Sequence, residues 1–297
     1  MGLCVCMQAW SDTSLQTTMR SFKYTPFPLN EEQASTFFDV NEAGRRGHTS
    51  TRGGLLWEDI TYSDNRVLMA ISPEPDAKSY PIIVVYLHGN QAMLERDVLE
   101  RQQVAAQIAA ADINGFLLAP QFAVDALDSS PGNFAQKKYF SAFMKEASRQ
   151  AGEWQNNRRL QHQLKYAPII LVAYSGGYLA AANILEHGGM NRRIKGVILL
   201  DALYGKEDVF ARWLEVHHRN SFFFSTYTEP AKTSNEQLQH LLSENGIQFE
   251  TTMPEFLGKK TIHFVPLDET VQHKDLLTQA WNNEPLADLL RKTKINR

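Results

Sequence analysis

The run Leu171-Val-Ala-Tyr-Ser175-Gly176-Gly177 places a serine among small residues, with Ala173 two positions before it and Gly177 two after. An apolar, β-branched stretch precedes this run and an alanine-rich stretch follows it. A strand, a sharp turn carrying serine and then a helix lifts a hydroxyl above the edge of a sheet, and small neighbours let strand and helix pass closely. The chemistry this permits is acyl transfer, with Ser175 as the attacking group. A glycine-rich turn of this kind can also hold a phosphate at the helix N-terminus. However, no G-x-x-x-x-G-K-[ST] segment occurs and no G-x-G-x-x-G opens a helix, so that reading has little support.

A serine hydroxyl is a weak nucleophile unless a base lies beside it. In a serine, acid, histidine chain order the base follows the last strand, and His273 in Val271-Gln-His-Lys-Asp-Leu276 stands there. His263 lies within an expected strand and reads as structural, while His187, His217 and His218 sit near helix ends, where a cation suits the dipole. The acid that orients the base has two main candidates. Asp201 leaves a purely apolar strand directly, whereas Glu229 lies in a polar loop before Pro230. Asp268 or a water molecule are further possibilities.

An oxyanion needs backbone donors. The amide of Gly176, directly after the serine, is one. The second is expected from Asn90 or Gln91 in Leu87-His88-Gly89-Asn90-Gln91, where a glycine lets the backbone turn its amides inward. His88, Gly89, Phe122, Tyr174 and Tyr204 are the expected substrate-facing residues, with His88 also readable as a loop brace. The loop over 122–134 would form a wall, Asp125 and Asp128 favouring a polar or cationic group and Phe122, Phe134 and Tyr204 an apolar one. No residue set suggests a metal or an organic cofactor.

The elements that must position these residues follow from hydrophobic periodicity. A continuous apolar, β-branched run predicts a strand covered on both faces at 81–87, and further strands are predicted at 113–119, 167–174, 193–201, 221–228 and 261–267. Between them, helical patterns cover 91–111, 137–163, 178–186, 206–218 and 234–245, and a last one covers 273–291. This alternation implies a mostly parallel sheet with helices on both faces. Upstream, 55–61 and 66–72 read as an antiparallel hairpin turning at Ser63-Asp64-Asn65 at a sheet edge. Residues 1–40 read as an extended leader and 41–297 as one α/β domain.

The chain has 297 residues, 43% hydrophobic and 21% charged, which is enough to bury a large core and excludes disordered and fibrous classes. Thirty Lys and Arg against 33 Asp and Glu give a formal charge of −3, so no nucleic-acid partner is expected. The short cluster Arg192, Arg193 and Lys195 reads as a solvated helix-to-strand turn. The two cysteines, Cys4 and Cys6, exclude a disulfide scaffold and a structural zinc site. Met1-Gly2-Leu3-Cys4-Val5-Cys6 is similar to a myristoylation start with cysteines for palmitoylation, although Cys6 stands where Ser or Thr is preferred. If lipidated, the protein would sit at a membrane surface. No apolar run reaches transmembrane length, which leaves the compartment, cytoplasmic or periplasmic and secreted, open.

With Tyr86-Leu-His-Gly-Asn90, Ala173-Tyr-Ser-Gly-Gly177 and the late His273, the chain resembles the α/β-hydrolase superfamily over roughly residues 55–291. The segments Leu94-Glu-Arg-Asp97, Ala119-Pro-Gln-Phe-Ala-Val-Asp125, Asp128-Ser-Ser130 and Leu199-Leu-Asp-Ala-Leu-Tyr-Gly205 are similar to a little-characterised bacterial hydrolase-like branch. The resemblance implies a sheet of about eight strands and a Ser-His-acid site. It departs from the usual pattern at Ala173, where a glycine is common, and in having no aspartate after the penultimate strand. Two functions follow. One is a serine esterase, with amide or peptide cleavage as a variant. The other is a catalytically impaired binding or scaffold protein on the same fold.

Overall fold

Every residue of Ile82–Leu87 and Ile169–Tyr174 is buried. Such strands hide side chains on both faces, so they belong in the middle of a sheet covered by two helical layers. The computed structural model, which describes residues 15–73 and 81–295, places them there. In chain order the elements are β1 (Gln16–Ser21), α1 (Glu31–Phe37), β2 (Val40–Glu42), β3 (Arg45–Ser50), β4 (Gly54–Trp57), α2 (Glu58–Thr61), β5 (Arg66–Ile71) and β6 (Ile82–Leu87). A wide π-type helix over Leu94–Arg101 follows, then α3 (Val104–Ala110), β7 (Gly115–Pro120), α4 (Tyr139–Trp154), α5 (Arg158–Tyr166) and β8 (Ile169–Tyr174). The chain continues through α6 (Tyr178–His187), β9 (Ile194–Leu200), α7 (Glu207–His217), β10 (Phe222–Tyr227), α8 (Lys232–Glu244), β11 (Ile262–Pro266) and α9 (Pro285–Arg291).

The main sheet has eight strands in the order β1-β5-β7-β6-β8-β9-β10-β11. β5 runs antiparallel to both neighbours, and the strands from β7 to β11 are parallel. Alternate side chains of β8 enter two cores. Ile169, Leu171 and Ala173 face the layer built by α4 to α8. Ile170, Val172 and Tyr174 face the layer containing the Leu94–Arg101 helix, α3 and α9. The register then fixes the carboxyl edge. Leu87 pairs with Ala173, Tyr174 with Leu200, Leu200 with Thr226 and Tyr227 with Pro266. The residues that follow β6, β8, β9 and β10 therefore emerge side by side, where open α/β sheets hold their ligands.

Several expectations change. Residues 16–40 are no extended leader: β1 pairs along its whole length with β5, and α1 is capped by the Asn30 side chain accepting from the Gln33 amide at 3.0 Å. The expected 55–61 with 66–72 hairpin does not form. β4 instead pairs with β3 in a separate antiparallel sheet, β2-β3-β4, and β5 joins the main sheet. The reason is two-sided burial: Val67 and Met69 point into one core and Leu68 and Ala70 into the other, which an edge hairpin cannot provide. The helix expected over 91–111 is broken at Gln103, and the one over 137–163 at Asn156, both at positive φ, with Asn157 capping α5. The helix expected over 273–291 is a short turn at His273–Asp275 and then α9, because Pro285 starts a helix well and continues one poorly. Cys4 and Cys6, and with them the lipidation reading, lie outside the described residues. Among the described residues no helix is long and apolar enough to cross a membrane.

Candidate active site

Ser175 sits at the tip of a strained turn. Its φ is +53°, an uncommon conformation for a residue with a Cβ. Two glycines make the turn possible. A Cβ on Gly89 would stand 2.6 Å from the Ser175 Cβ, and one on Gly177 would collide with the Leu87 carbonyl oxygen. From Leu171 to Gly177 only Ser175 is partly exposed. This strand, elbow and helix geometry is what the sequence pattern predicts.

His273 follows β11 and comes to the same edge. Its Nδ1 donates to Asp201 Oδ2 at 2.6 Å. Asp201 directly follows β9 and is fully buried. Its carboxylate also accepts from the Thr228 amide at 2.9 Å, the Thr228 hydroxyl at 2.8 Å and the Tyr204 hydroxyl at 3.0 Å. Burial alone would raise its pKa, but the bonds from His273 and Thr228 outweigh burial and hold it below the usual carboxylate range. The alternative acid is corrected: Glu229 is 80% exposed at its side chain and faces Lys232, because the turn at Glu229–Ala231 points it to solvent. Asp268 caps its own loop through Thr270. Thr228 escaped the sequence reading, since a threonine after a strand carries no signal until the strands are registered.

The strand order and the strand, elbow and helix turn at Ser175 decide the architecture. The chain has the α/β-hydrolase fold. No protein-family model and no curated protein matches the sequence. Among solved structures, the chain is similar to a ferulic acid esterase, at 12% identity and a TM-score of 0.42 over 68% of this chain and 84% of that one. It is similar to an S-formylglutathione hydrolase from Agrobacterium tumefaciens, at 12% identity and a TM-score of 0.41 over 76% and 89%. An IroE-like serine hydrolase from Shewanella oneidensis gives 12% identity and a TM-score of 0.44 over 76% and 75%.

In this hydrolase fold the expected oxyanion donors divide. The Gln91 amide is taken, donating to the Ala126 carbonyl at 2.8 Å, which removes Gln91 from the set. The amides of Gly176 and Asn90 make no backbone hydrogen bond within the described residues. The Asn90 side chain accepts from the Ser129 hydroxyl at 2.8 Å, and a Cβ on Gly176 would collide with that hydroxyl. Ser129 therefore braces Asn90 over the elbow.

Most expected substrate-facing residues prove to be supports. His88 is buried, with Nδ1 donating to the Gly89 carbonyl at 2.8 Å and Nε2 accepting from the Phe122 amide at 2.9 Å. Phe122 packs edge-on against it. Tyr174 is buried beneath the His273 ring, stacked at 5.0 Å, and its hydroxyl donates to the His273 carbonyl at 3.1 Å. Phe134 lies wholly in the core. Gly89 is pressed against Ser175 as described. Tyr204 alone keeps an exposed face. The cationic-group reading of the wall also fails, because Asp125 pairs with Arg96 at 2.8 Å and Asp128 is held by Tyr62 and Ser130.

Burial pushes the His88 pKa from 6.5 down to about 4, against smaller opposing effects of the Gly89 carbonyl, Asp97 and Asp64. The unfolded chain therefore takes up a proton between these values that the folded chain refuses. Stability from this residue is complete above pH 6.5 and falls as the pH drops toward 4, by on the order of 3 kcal/mol at about 1.4 kcal/mol per pKa unit. Urea unfolding at pH 7 and pH 4.5 checks this. The wild type should lose more stability across the interval than His88→Gln; equal losses would assign the acid sensitivity elsewhere.

Proposed function

We propose that this protein is a serine hydrolase that cleaves a carboxylic ester through an acyl-enzyme on Ser175. One observation carries the reading: a buried carboxylate at the end of β9 holds the ring of a histidine that follows β11, beside a serine elbow at the end of β8. The impaired-scaffold reading rests on an uncertain acid, and the Asp201 to His273 bond weighs against it.

The chemistry follows from the placement. Ser175 Oγ attacks the ester carbonyl and gives its proton to His273 Nε2. With Nδ1 donating to Asp201, Nε2 is the basic nitrogen, and the buried carboxylate stabilises the imidazolium that forms. The Gly176 and Asn90 amides receive the negative charge on the tetrahedral oxygen. His273 then protonates the departing alcohol. Water, deprotonated by the same nitrogen, releases the acid. The test is labelling of the folded protein with a fluorophosphonate. One label per chain is expected, all of it lost in Ser175→Ala; a folded wild type that takes up none overturns the reading.

The covering sheet adds a substrate preference. The β3 to β4 turn is pinned to the wall by the Ser50 hydroxyl donating to the Leu127 carbonyl at 2.7 Å. It carries Arg52, exposed, whose Nη2 lies 3.4 Å from Ser129 Oγ, next to Asn90. Its charge favours the ionised forms of the Tyr178 and Tyr204 hydroxyls, against the larger effect of burial that raises both, and Glu207 acts on Tyr178 in the opposite direction. Among the described residues Arg52 makes no ion pair, so the preferred ester bears a negative group. Arg52→Ala should lower kcat/KM for a p-nitrophenyl half-ester of a dicarboxylic acid by about 10-fold, from a charged hydrogen bond of about 1.5 kcal/mol. The value for p-nitrophenyl acetate should stay within about 2-fold; equal losses on both esters would refute the preference.

A further inference from the structure

The edge of the sheet opposite Ser175 holds a second concentration of charge. Arg192, Arg193 and Lys195 surround the start of β9, and the structure brings Lys259 and Lys294 to them. The last two meet because Leu257 bridges Thr293, which sets Lys294 Cβ 3.5 Å from where a Cβ on Gly258 would lie. The five cations line a cleft of about 340 Å³. No carboxylate lies among its described lining residues, and none of the five forms an ion pair within the described residues. The ring of Tyr166, 57% exposed, forms part of the wall.

We propose that this cleft binds a small molecule carrying a polyphosphate group. Like charges gathered without a counter-charge repel one another, and a compact multi-anion relieves that repulsion. The fixed member is Arg193, whose Nε and Nη2 donate to the Ala167 and Leu164 carbonyls at 2.9 and 2.8 Å. These bonds anchor a guanidinium that has no acid to neutralise it. Burial lowers its pKa to about 10, so it stays charged at neutral pH. Arg192, Lys195, Lys259 and Lys294 supply further donors around it. The volume suits a small ligand. A nucleic-acid chain would need a longer basic track, and the protein as a whole is acidic at −3. Strand β8 separates this cleft from the serine by roughly 20 Å, at about 3.3 Å per residue, so an occupant here is not the ester substrate. The inference stands whether or not Ser175 is active.

The test is isothermal titration of the full chain with inorganic tripolyphosphate, without divalent cations, at 50 and 200 mM salt. The wild type should bind one equivalent, more weakly at higher salt. The double variant Arg192→Ala, Lys259→Ala should bind at least 10-fold more weakly while keeping the melting temperature of the ligand-free wild type. Both side chains are exposed, so folding should survive; Lys195→Gln with Lys294→Gln is the second pair. No binding, equal binding by the variants, or equal binding of sulfate at matched ionic strength would overturn the proposal. So would tighter binding of a single-stranded oligonucleotide at the same residues.

Discussion

Asp201→Asn is expected to lower kcat/KM for an activated ester by about 10⁴ while leaving the fold intact. The same exchange in other serine triads has an effect of that size, because an amide presents a donor where a carboxylate accepts and the histidine is driven into the wrong tautomer. Here the carboxylate has four donors around it: His273 Nδ1, the Thr228 amide and hydroxyl, and the Tyr204 hydroxyl. One asparagine oxygen cannot satisfy them. If that oxygen keeps the Thr228 amide and the side-chain NH2 faces His273, Nδ1 must accept and Nε2 carries the proton. The base is then blocked toward Ser175. A stability loss of about 1–3 kcal/mol from an unpaired buried donor accompanies it. Kinetics with p-nitrophenyl acetate, beside a thermal melt, separate the two effects. Near wild-type turnover in Asp201→Asn would remove Asp201 from the mechanism, and Glu229→Gln, expected to be silent, is the matched control.

Ser175→Ala should abolish covalent labelling and lower kcat by about 10⁶, the scale seen when a serine nucleophile is removed from such a site. Residual rate above the uncatalysed reaction would come from the Gly176 and Asn90 amides. The alanine keeps a Cβ at φ +53°, so the strain of the turn is unchanged and the melting temperature should stay close to that of the wild type. Ser175→Gly offers an independent reading of that strain. It should be equally inactive and should melt higher, because glycine adopts this conformation without steric cost. Retained hydrolysis in Ser175→Ala would move the nucleophile elsewhere. A lower melt for Ser175→Gly would deny that the elbow stores strain.

The legible parts of the chain are those where local pattern and tertiary role agree. β6 and β8 are apolar along their whole length because both faces are covered, and such runs are read from sequence with little ambiguity. The elbow is equally legible, since small residues on either side of Ser175 are demanded by contacts within a few residues, such as Gly177 against the Leu87 carbonyl. Boundaries are less legible where one residue opens a new helix inside an expected longer one, as Asn157 and Pro285 do. Strand partners are not legible where pairing is long-range. Sequence proximity points β5 to a hairpin with its neighbour, yet it pairs with β1 and β7 on either side.

The candidates Ser175 and His273, with an acid between them in the chain, and the run of alternating strands and helices are legible in the sequence alone, because periodicity and turn chemistry are local. The choice between Asp201 and Glu229 is not. Both follow strands, and only the register of β9 against β10 shows that Asp201 is buried under Thr228 and Tyr204 while Glu229 turns to water. The same holds for His88 and Tyr174, whose residue types suit a substrate pocket but whose burial makes them braces. Arg52 and the Arg192 to Lys294 cleft were invisible for the same reason. Each joins residues far apart in the chain, and the field of a charge depends on distance in space, which only the packed structure sets.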